Sequence, residues 1–409
     1  MNIWIFNHYA IAPGTSGITR HFDLAKELVK LGHEVTIFAS SFDHQSRKEA
    51  HLKNTTDNFK EEVYDGVRYV WVKTFPYNKN DWRRVINILS YTLKTNKFVK
   101  TKFNEKPDII IGSLMHPLAP ILAYKVAKKL NAAFYFEVRD LWPQSLIDLG
   151  KVSPRNPIVW ALDKLESFLY RKADKIIVLF DKASDYIVSK GFSSKKIIYL
   201  PNGIDPERFN GNNISVPQNI KNSLTKIPTN KFIGIYSGAH GLANNLDVIL
   251  DSAKELTDID DIHYVLIGDG PEKQRLIKKA NDLGLHNVSF LDSVPKDYLP
   301  LFLERANVGL LPLKKAPVFK WGISPNKLYD YMASKLPVLL VCDLEDTIVD
   351  KAKSGYVVKG NNMVFELNSL MVKLNENREQ SMQMGRNGHS YVMRNNSWDV
   401  LAKGLIEKI

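Results

Sequence analysis

The segment from Ser324 to Val338 contains polar residues at spacings that suit the binding of an anion and a diol. Ser324 is a favourable helix N-cap and Pro325 fits the first helical position, so we expect a helix to begin here. The free N–H groups of its first turn attract phosphate, and Lys327 adds a cation. Asp330 is a neighbour of Lys327 on the helix surface and can accept two hydrogen bonds from a ribose diol. The pattern fits a nucleoside diphosphate; a capped helix with an ordinary Lys–Asp pair is the alternative.

A second candidate is the loop made of Pro13, Gly14, Thr15, Ser16 and Gly17, between the first predicted strand and the first predicted helix. Its two glycines let the backbone approach a ligand, and the helix N-terminus beyond it offers unpaired N–H groups. The loop has neither the G-x-G-x-x-G dinucleotide fingerprint nor the G-K-[ST] of a P-loop. A plain turn capped by Thr15 or Ser16 is the alternative interpretation.

Arg139 and Asp140 follow the predicted strand Ala133–Phe136. Ligands bind at the carboxyl ends of strands in open α/β sheets, so we expect both side chains to face a ligand there. We interpret them as an ion pair that orients an acceptor substrate or Trp142, and a purely structural ion pair is the alternative.

One acidic triplet, Asp258-Ile259-Asp260, has the D-x-D form that binds a divalent metal in some enzymes. It is predicted to lie in a short turn between a helix and a strand, far in sequence from the candidate ligand loops, so we interpret it as a solvated turn. The sequence contains no H-E-x-x-H, no C-x-x-C and no clustered histidines. We therefore predict no metal site and no cofactor.

Strand-like apolar runs alternate with helical patterns along the chain, which predicts α/β domains with parallel sheets. The clearest helix spans Ile18 to Leu31 and ends at Gly32. The segment Pro201–Asn230 is rich in the prolines and asparagines of turns and linkers, and we place a domain boundary there. The predicted strands are Ile3–Phe6, Val35–Phe38, Val67–Val72, Ile109–Ile111, Ala133–Phe136, Ile176–Leu179 and Ile197–Leu200 before the boundary, and Phe232–Tyr236, Tyr264–Ile267, Val288–Leu291, Val308–Leu311 and Val338–Val341 after it.

The chain has 409 residues, which exceeds the size of a single hydrophobic core and predicts two domains. We assign residues 1–200 and a C-terminal helix 397–409 to the first domain, and residues 201–396 to the second. Ser397 is the expected N-cap of a helix that begins at Trp398. Two doubly wound domains leave ligand-binding edges at the carboxyl ends of both sheets, with a cleft between them. Fold alone does not select the reaction.

The net charge of +12 is concentrated in one stretch, Lys79–Lys106, which carries eight basic residues. Its apolar residues recur at helical spacing: Val85, Ile86, Leu89, Leu93, Val99 and Phe103. This predicts a basic amphipathic helix of the kind that lies on anionic lipid, and a helix whose apolar stripe packs on its own domain is the alternative. No apolar run reaches the length of about 18 residues needed to span a membrane. The single cysteine, Cys342, fits a reducing compartment.

Taken together, these segments resemble the GT-B glycosyltransferases of family 4, in particular the branch that adds sugars such as N-acetylfucosamine to bacterial O-antigen and capsule units. The resemblance covers essentially the whole chain. Besides Ser324–Val338 it rests on Gly17–Ser40 with its ending LGHEVT, and on the strings VRDLWPQS, LPNGID and LIGDGP that begin at Val138, Leu200 and Leu266. It implies an α/β architecture of two Rossmann-like domains that face a cleft, with a C-terminal helix crossing back to the N-terminal domain.

The resemblance also implies which residues bind which substrate. The C-terminal domain would bind the nucleotide-sugar donor through Gly238, Ala239, His240, Gly241, Ser324, Pro325, Asn326, Lys327 and Asp330. The N-terminal domain would bind the acceptor through Gly14, Thr15, Ser16, Gly17, Arg139, Asp140 and Trp142. His116 stands where related enzymes carry a histidine next to the donor sugar, and it joins Lys327 and Asp330 as a catalytic candidate. A helix-capping or surface histidine is the alternative for His116.

At two places the sequence departs from the family pattern. The family motif has two glutamates eight positions apart; Asp330 takes the second place, whereas Gly322 takes the first. The loop Ser237–Asp247 lacks the Arg and Lys that usually bind the donor diphosphate. We therefore expect Lys327 and the backbone N–H groups of Gly238–Gly241 to compensate.

The implied activity is that of a retaining, metal-independent hexosyl or N-acetylhexosaminyl transferase. It would move a sugar from a nucleotide-sugar, expected to be UDP-linked, to a lipid-diphosphate-linked glycan precursor of O-antigen or capsule. Such an enzyme would be cytoplasmic and peripheral on the anionic inner face of the cell membrane. No nucleic-acid partner is predicted, because the basic stretch lacks interleaved base-stacking aromatics. A nucleotide-sugar epimerase on the same fold and a non-catalytic GT-B assembly subunit are the alternatives.

Overall fold

The computed structural model describes residues 1–15, 17–53, 56–101, 105–210 and 215–409, and it divides into two compact units. Unit 1 consists of Met1–Pro201 and Trp398–Ile409, and unit 2 consists of Asn202–Ser397. Ser16 of the predicted acceptor loop lies outside the described residues, as do residues 102–104 near the end of the predicted basic helix.

Unit 1 contains a large, mostly parallel sheet. Its described strands are β1 (Asn2–Phe6), β2 (Glu34–Ser40), β3 (Phe42–Asp43), β4 (Lys48–Glu49), β5 (Phe59–Tyr64), β6 (Val67–Val72), β7 (Ile109–Ser113), β8 (Ala133–Val138), β9 (Lys175–Val178) and β10 (Ile197–Tyr199). The strand order is β10-β9-β8-β7-β1-β2-β6-β5, and only β5 runs antiparallel to its neighbour in this sheet. Strands β3 and β4 form a separate short antiparallel pair.

Helices connect the parallel strands of unit 1. They are α1 (Arg20–Lys30), α2 (Trp82–Thr101), α3 (Leu118–Leu130), α4 (Gln144–Asp148), α5 (Pro157–Lys172) and α6 (Ala183–Ser189). Helix α1 follows the candidate loop after β1, and α3 begins two residues after His116. The sheet therefore places both candidates at the carboxyl ends of neighbouring strands, since β1 pairs with β7.

Unit 2 contains a parallel sheet with the strand order β13-β12-β11-β14-β15-β16 in the described chain, where β11 is Phe232–Ser237, β12 is Ile262–Ile267, β13 is Val288–Leu291, β14 is Val308–Pro312, β15 is Val338–Val341 and β16 is Gly355–Val358. Its helices are α7 (Gln218–Leu224), α8 (Asp247–Glu255), α9 (Lys273–Asp282), α10 (Leu299–Leu303), α11 (Asn326–Ala333), α12 (Ile348–Ala352), α13 (Met363–Glu376) and α14 (Arg378–Asn395). The end of β11 and the N-terminal part of α11, with the residues just before it, carry the candidate donor residues.

The last helix, α15 (Trp398–Ile406), returns to unit 1, as predicted. It packs against α1, and the side chains of Trp398 and Leu405 are buried in the unit 1 core with Phe22. The guanidinium of Arg20 lies 5.5 Å from the centre of the Trp398 ring and donates hydrogen bonds to the carbonyl oxygens of Leu200 and Pro201. The buried side chain of Arg20 thus contacts the end of the first unit 1 segment, at Leu200 and Pro201, and the start of the second, at Trp398.

Each predicted strand corresponds to a strand of one of the two large sheets. Parallel sheets bury both faces of such strands, so the strands appear in the sequence as continuous apolar runs. Four described strands were missed, namely the short pair β3 and β4, and β5 and β16 in the two large sheets. The alternating, charged β5 lies at a sheet edge with none of its side chains fully buried, and β16 is only four residues long and begins with Gly355. Strand β5 lacks the continuous apolar run that marks a buried parallel strand, and in β16 such a run is limited to the three residues after Gly355.

Candidate functional site

Three glycines shape the edge of the unit 2 sheet where β11 and β12 end. Gly238, Gly268 and Gly270 all have φ between +138° and +156°, a region that side chains disfavour. A Cβ on Gly268 would lie 1.9 Å from the Gly238 carbonyl oxygen, and one on Gly270 would lie 2.5 Å from the carbonyl oxygen of His240. The two loops therefore pack backbone against backbone, which leaves their outer surface open to a ligand.

Only part of the expected backbone donor set of Gly238–Gly241 is available. The N–H of Gly238 donates to Ile267 and that of His240 donates to Asp269, both to carbonyl oxygens. The imidazole of His240 is fully buried, and burial lowers its pKa to about 4. Among the described residues, the N–H groups of Ala239 and Gly241 have no partner. These two N–H groups are the donors that the loop can offer to an anion.

Lys327 lies beside this loop. Its ammonium donates to the hydroxyl of Tyr236 at 2.7 Å and to Asn244 Oδ1 at 3.2 Å, and it stands 4.0 Å from the centre of the Tyr236 ring. A Cβ on Gly238 would come within 3.0 Å of this ammonium, so the glycine makes room for it. Burial lowers the pKa of Lys327 to about 7, and no described carboxylate forms a salt bridge with it. A partly buried cation without a carboxylate partner is a candidate contact for an anionic ligand.

The alternative interpretation of an ordinary pair between Lys327 and Asp330 is wrong. Asp330 is buried, and both of its oxygens accept a hydrogen bond at 2.6 Å from Lys296 on the 3-10 turn Lys296–Tyr298. Helical spacing makes the two residues neighbours along α11, but Lys327 extends toward the loop after β11, whereas Asp330 turns toward the segment after β13. The sequence analysis did not identify Lys296. Its position soon after the end of β13 could have indicated it, because polar residues that follow parallel strands often lie at the ligand-binding edge of a sheet.

The predicted helix cap at Ser324 is also wrong. Helix α11 begins at Asn326, and Pro325 stands at the N-cap position in an extended conformation. The Ser324 hydroxyl instead accepts from the Asn202 N–H at 3.0 Å and bonds to the Tyr329 hydroxyl at 2.8 Å. In the first turn of α11 the N–H of Leu328 donates to the Pro325 carbonyl oxygen, whereas those of Asn326 and Lys327 have no acceptor in the described structure.

Gly322 stands where the family motif has its first glutamate. Its φ of +97° lies in the left-handed region, where any L side chain is strained. The departure from the family pattern is therefore accompanied by a backbone conformation that suits glycine and not glutamate.

In unit 1, part of the predicted acceptor set lines a cavity. Thr15, Gly17 and Arg139 contribute to its wall, whereas Gly14, Asp140 and Trp142 do not. Residues that sequence reasoning missed form much of the remaining wall: His8, Tyr9, Ser40, Asp43, His44, Gln45, His51, Trp71 and Met115. Aromatic rings with polar edges are well suited to a ligand that has an apolar and a hydroxylated face.

The predicted ion pair between Arg139 and Asp140 is not formed: no salt bridge joins them in the described structure. Arg139 lines the cavity and Asp140 is exposed to solvent. The physical reason is that successive side chains at the end of a strand point in different directions.

His116 is buried, with 3% of its surface exposed, so neither a surface histidine nor a helix cap describes it. Helix α3 has no side-chain cap. His116 Nε2 lies 2.8 Å from His8 Nδ1, and His116 Nδ1 is buried without a partner. Burial lowers the pKa of His116 to about 3, with the charge of Arg84 acting in the same direction. The imidazole is therefore neutral in the physiological range.

Beneath the first loop lies a buried ionic cluster that sequence reasoning missed. Glu137 at the end of β8 accepts hydrogen bonds from Arg20 Nε at 3.0 Å, His21 Nε2 at 2.7 Å and Ser113 Oγ at 2.6 Å. Burial opposes ionisation of Glu137, but His21 and Arg20 hold the pKa of this carboxyl well below its usual range. Glu137 is a charged residue in an otherwise apolar strand, and this feature of the sequence could have predicted a buried ionic contact. The cluster fixes the start of α1 against the sheet.

The D-x-D triplet lies in the turn between α8 and β12, as predicted, and Asp260 pairs with Lys231 at 2.9 Å on the surface. This turn precedes β12, so it lies at the opposite end of the strand from the glycine loops. Within the described residues, no three His, Cys, Asp or Glu side chains are grouped so that they could hold a metal ion. Metal independence stays a prediction.

Comparison with known proteins agrees with this arrangement. Residues 15–208 match the model of Glycosyltransferase Family 4, and residues 218–391 match that of Glycosyl transferases group 1. WcaI of Escherichia coli K12, whose name assigns it to colanic acid biosynthesis as a glycosyl transferase, is 22% identical over 79% of both chains. The O-antigen biosynthesis glycosyltransferase WclY of E. coli is 25% identical over 62% of this chain and 68% of its own.

Among solved structures, HepE from Anabaena in complex with UDP-glucose superimposes with a TM-score of 0.67 at 12% identity, over 100% of this chain and 98% of HepE. This likeness shows the GT-B fold, with its two Rossmann-like domains. The two family models cover both units, and the chain belongs to the family 4 glycosyltransferases, with a group 1 domain in its C-terminal half.

Proposed function

We propose that this glycosyltransferase moves a sugar from a UDP-linked donor, an N-acetyl sugar by the resemblance described above, to a lipid-diphosphate-linked glycan in the synthesis of O-antigen or capsule. Unit 2 holds the donor and unit 1 holds the acceptor. The observation that carries the proposal is the partly buried ammonium of Lys327, which lacks a carboxylate partner in the described structure and lies beside the glycine loops. The names of WcaI and WclY support a polysaccharide product, and the HepE complex supports a uridine nucleotide.

In this proposal the protein itself stabilises the leaving diphosphate. Lys327, the N–H groups of Ala239 and Gly241 and the first turn of α11 supply positive potential where negative charge develops. Among the residues brought to this edge, Asp330 is already engaged by Lys296 and is not free to act as a nucleophile. We therefore propose transfer with retention by a front-face path, in which the donor phosphate accepts the proton of the acceptor hydroxyl.

His116 takes part as a neutral group. Since burial holds its pKa near 3, it is not a general acid, and we propose that it hydrogen-bonds a hydroxyl of the sugar.

A screen of UDP-, GDP- and dTDP-sugars with a lipid-diphosphate-linked acceptor, followed by mass spectrometry, tests the function. We expect transfer from a UDP-sugar, and we expect the rate to persist in excess EDTA, because protein groups balance the diphosphate charge. The control is the same reaction with added manganese after EDTA. Activity that vanishes with the chelator and returns with manganese contradicts metal independence. Release of UDP without a glycosylated product favours the epimerase.

The proposed location is the anionic inner face of the cell membrane. In α2, Trp82, Val85, Leu89 and Leu93 form one stripe of the helix and are 44% to 67% exposed. Of the predicted apolar stripe, Val85, Leu89 and Leu93 are thus exposed, whereas Val99 is buried, so the alternative of a stripe that packs on its own domain holds for Val99 but not for these three residues. Arg83, Lys97 and Lys100 are exposed on the same helix. Arg84 and Lys94 turn inward instead, to the Tyr9 hydroxyl and the Lys73 carbonyl.

No described helix combines the length and the apolar character that crossing a membrane requires.

Reversing the charges of Arg83 and Lys97 to Glu is expected to weaken binding to vesicles that contain anionic lipid. Each basic residue near the surface contributes about 1 kcal/mol, so removing two predicts a loss of at least roughly 10- to 30-fold. The matched control reverses Lys254 and Lys278, two exposed lysines of unit 2, and changes the net charge equally. Vesicle sedimentation measures the binding. Equal binding by both double variants would show that α2 does not contact lipid.

A further inference from the structure

The ammonium of Lys327 belongs to a closed ring of hydrogen bonds in unit 2. It donates to the hydroxyl of Tyr236 at 2.7 Å and to Oδ1 of Asn244 at 3.2 Å. The Tyr236 hydroxyl donates in turn to the carbonyl oxygen of Ala239 at 2.7 Å, and Asn244 Nδ2 donates to the same oxygen at 2.8 Å. Three side chains and one peptide group thus form this hydrogen-bonded ring, which joins the first turn of α11 to the end of β11 and the loop that follows it.

The chemistry of these groups fixes the direction of every hydrogen bond in the ring. An ammonium only donates and a carbonyl oxygen only accepts, so Asn244 must turn its Oδ1 to Lys327 and its Nδ2 to Ala239. For the same reason the Tyr236 hydroxyl accepts from Lys327 and gives its own proton to the Ala239 carbonyl. An aspartate in place of Asn244 would set a second acceptor against that carbonyl. The hydrogen-bonded ring therefore favours an amide over a carboxylate at this position.

The ring holds the cation through uncharged acceptors. An ammonium has three N–H groups, and Tyr236 and Asn244 engage two of those of Lys327. The third has no acceptor among the residues that the structure describes. Of the titratable side chains that face Lys327 from β11 and its loop, Tyr236 has its pKa raised by burial, and His240 has its pKa lowered by burial to about 4. Both are therefore neutral near pH 7 and leave the charge of the ammonium uncompensated.

The same ring fixes the part of the loop that carries free backbone donors. The Ala239 carbonyl accepts two bonds of the ring, and the N–H of the same peptide group, which belongs to His240, donates to the Asp269 carbonyl oxygen at 2.8 Å. This peptide group is thus held on both sides. The N–H groups of Ala239 and Gly241 belong to the peptide groups before and after it and have no partner in the described structure. One cation and two N–H donors are therefore held in one loop region of unit 2.

We infer that Asn244 and Tyr236 are positioning residues of the donor site, which hold the Lys327 ammonium against the loop through uncharged acceptors and so leave its charge for the donor diphosphate. The geometry of the ring follows from unit 2 alone, whereas the identity of the anion rests on the proposed function. The loop Ser237–Asp247 has no Arg or Lys of its own. Asn244 instead binds a cation that α11 supplies.

Asn244→Asp tests the ring without any nucleotide, because it replaces the amide by a carboxylate of nearly the same shape. NMR of the full chain labelled at lysine follows the titration of Lys327, whose signals are identified by their loss in Lys327→Arg. In the wild type we expect a midpoint at the lowered pKa of about 7. In Asn244→Asp the midpoint should rise toward the ordinary lysine value of about 10.4, because a carboxylate beside the amine favours its charged form.

The matched control is Asn245→Asp, which adds the same charge one position further along the loop. Asn245 has a φ of +44°, a conformation that both asparagine and aspartate tolerate, and its side chain has no hydrogen-bond partner in the described structure. We expect Lys327 to titrate in this variant nearly as in the wild type. The same midpoint in Asn244→Asp and Asn245→Asp would overturn the role of Asn244.

Calorimetry with UDP then tests what the ring does for binding. Asn244→Asp should bind UDP roughly 10- to 150-fold more weakly than the wild type, because the new carboxylate competes with the diphosphate for Lys327. Asn245→Asp should lose less than about fivefold, as expected for a partly exposed charge. Tyr236→Phe removes one neutral acceptor and should cost about two- to tenfold.

Each part of the inference has its own contrary result. Equal UDP affinities for Asn244→Asp and Asn245→Asp would overturn the contribution of Asn244 to binding, and wild-type affinity in folded Tyr236→Phe would overturn that of Tyr236. If Lys327 titrates as expected but the wild type binds no UDP, the proposed function fails together with the assignment of the anion. The effect of Asn244 on Lys327 then still stands, because the NMR titration measures it without a ligand.

Discussion

Lys327→Ala is expected to weaken the binding of UDP by roughly 10- to 150-fold. The substitution removes a charge-assisted contact to the diphosphate, which contributes about 1.5–3 kcal/mol. Calorimetry with UDP measures the loss. Lys335→Ala serves as the control, because Lys335 is an exposed lysine just beyond the end of the same helix. UDP binding by Lys327→Ala at the wild-type affinity would mean that the donor site lies elsewhere.

Calorimetry can also detect a change in the protonation of Lys327 when UDP binds. The pKa of free Lys327 is lowered to about 7, so the amine is charged below this pH and increasingly neutral above it. A bound diphosphate favours the charged form, and we expect wild-type protein to take up a proton when it binds UDP near pH 8. Titrations in buffers of different ionisation enthalpy detect this uptake, which should be absent in Lys327→Ala. A lysine with a merely structural role would not produce it.

Glu137→Gln is expected to lower the free energy of unfolding of unit 1 by about 3–5 kcal/mol, because the buried Arg20 loses its carboxylate. Urea unfolding followed by tryptophan fluorescence reports on this unit, since every tryptophan except Trp321 belongs to it. The matched control is Asp163→Asn at a surface salt bridge to Lys190, where the loss should stay below about 1 kcal/mol. Similar losses for the two variants would contradict the role given to the Glu137 cluster.

The difference between wild type and Glu137→Gln should depend on pH. The folded pKa of Glu137 is depressed, so its ionised form contributes stability above its unfolded pKa of about 4.3 and loses that contribution as the pH falls through the folded value. The difference between the unfolding free energies of the two proteins should therefore be largest near neutral pH and should shrink as the pH falls below about 4.3. A constant difference would indicate a packing effect without charge.

The sequence predicted the strands better than the contacts of the site. Runs such as Ile109–Ile111 and Phe232–Tyr236 are apolar because both faces of a parallel sheet are buried, and this composition is readable locally. The partner of Asp330 could not be predicted from the sequence, because Lys296 lies 34 positions away. Helical spacing predicts only which residues are neighbours on the same helix. The same limit applies to Glu137, whose partners Arg20 and His21 come from a distant helix. Family motifs located the loops, whereas the hydrogen bonds within them depend on tertiary packing.

Arg20 has a consequence for anyone who builds chimeras of these enzymes. It contacts Leu200 and Pro201 on one side and Trp398 on the other. Unit 1 is therefore formed by two separate segments of the chain, Met1–Pro201 and Trp398–Ile409, which Arg20 holds in contact. A single crossover near the middle of the gene would transplant α15 together with the foreign C-terminal half and leave it facing an α1 with which it did not evolve. An exchange of donor specificity between relatives should therefore use two junctions, after residue 201 and before residue 398.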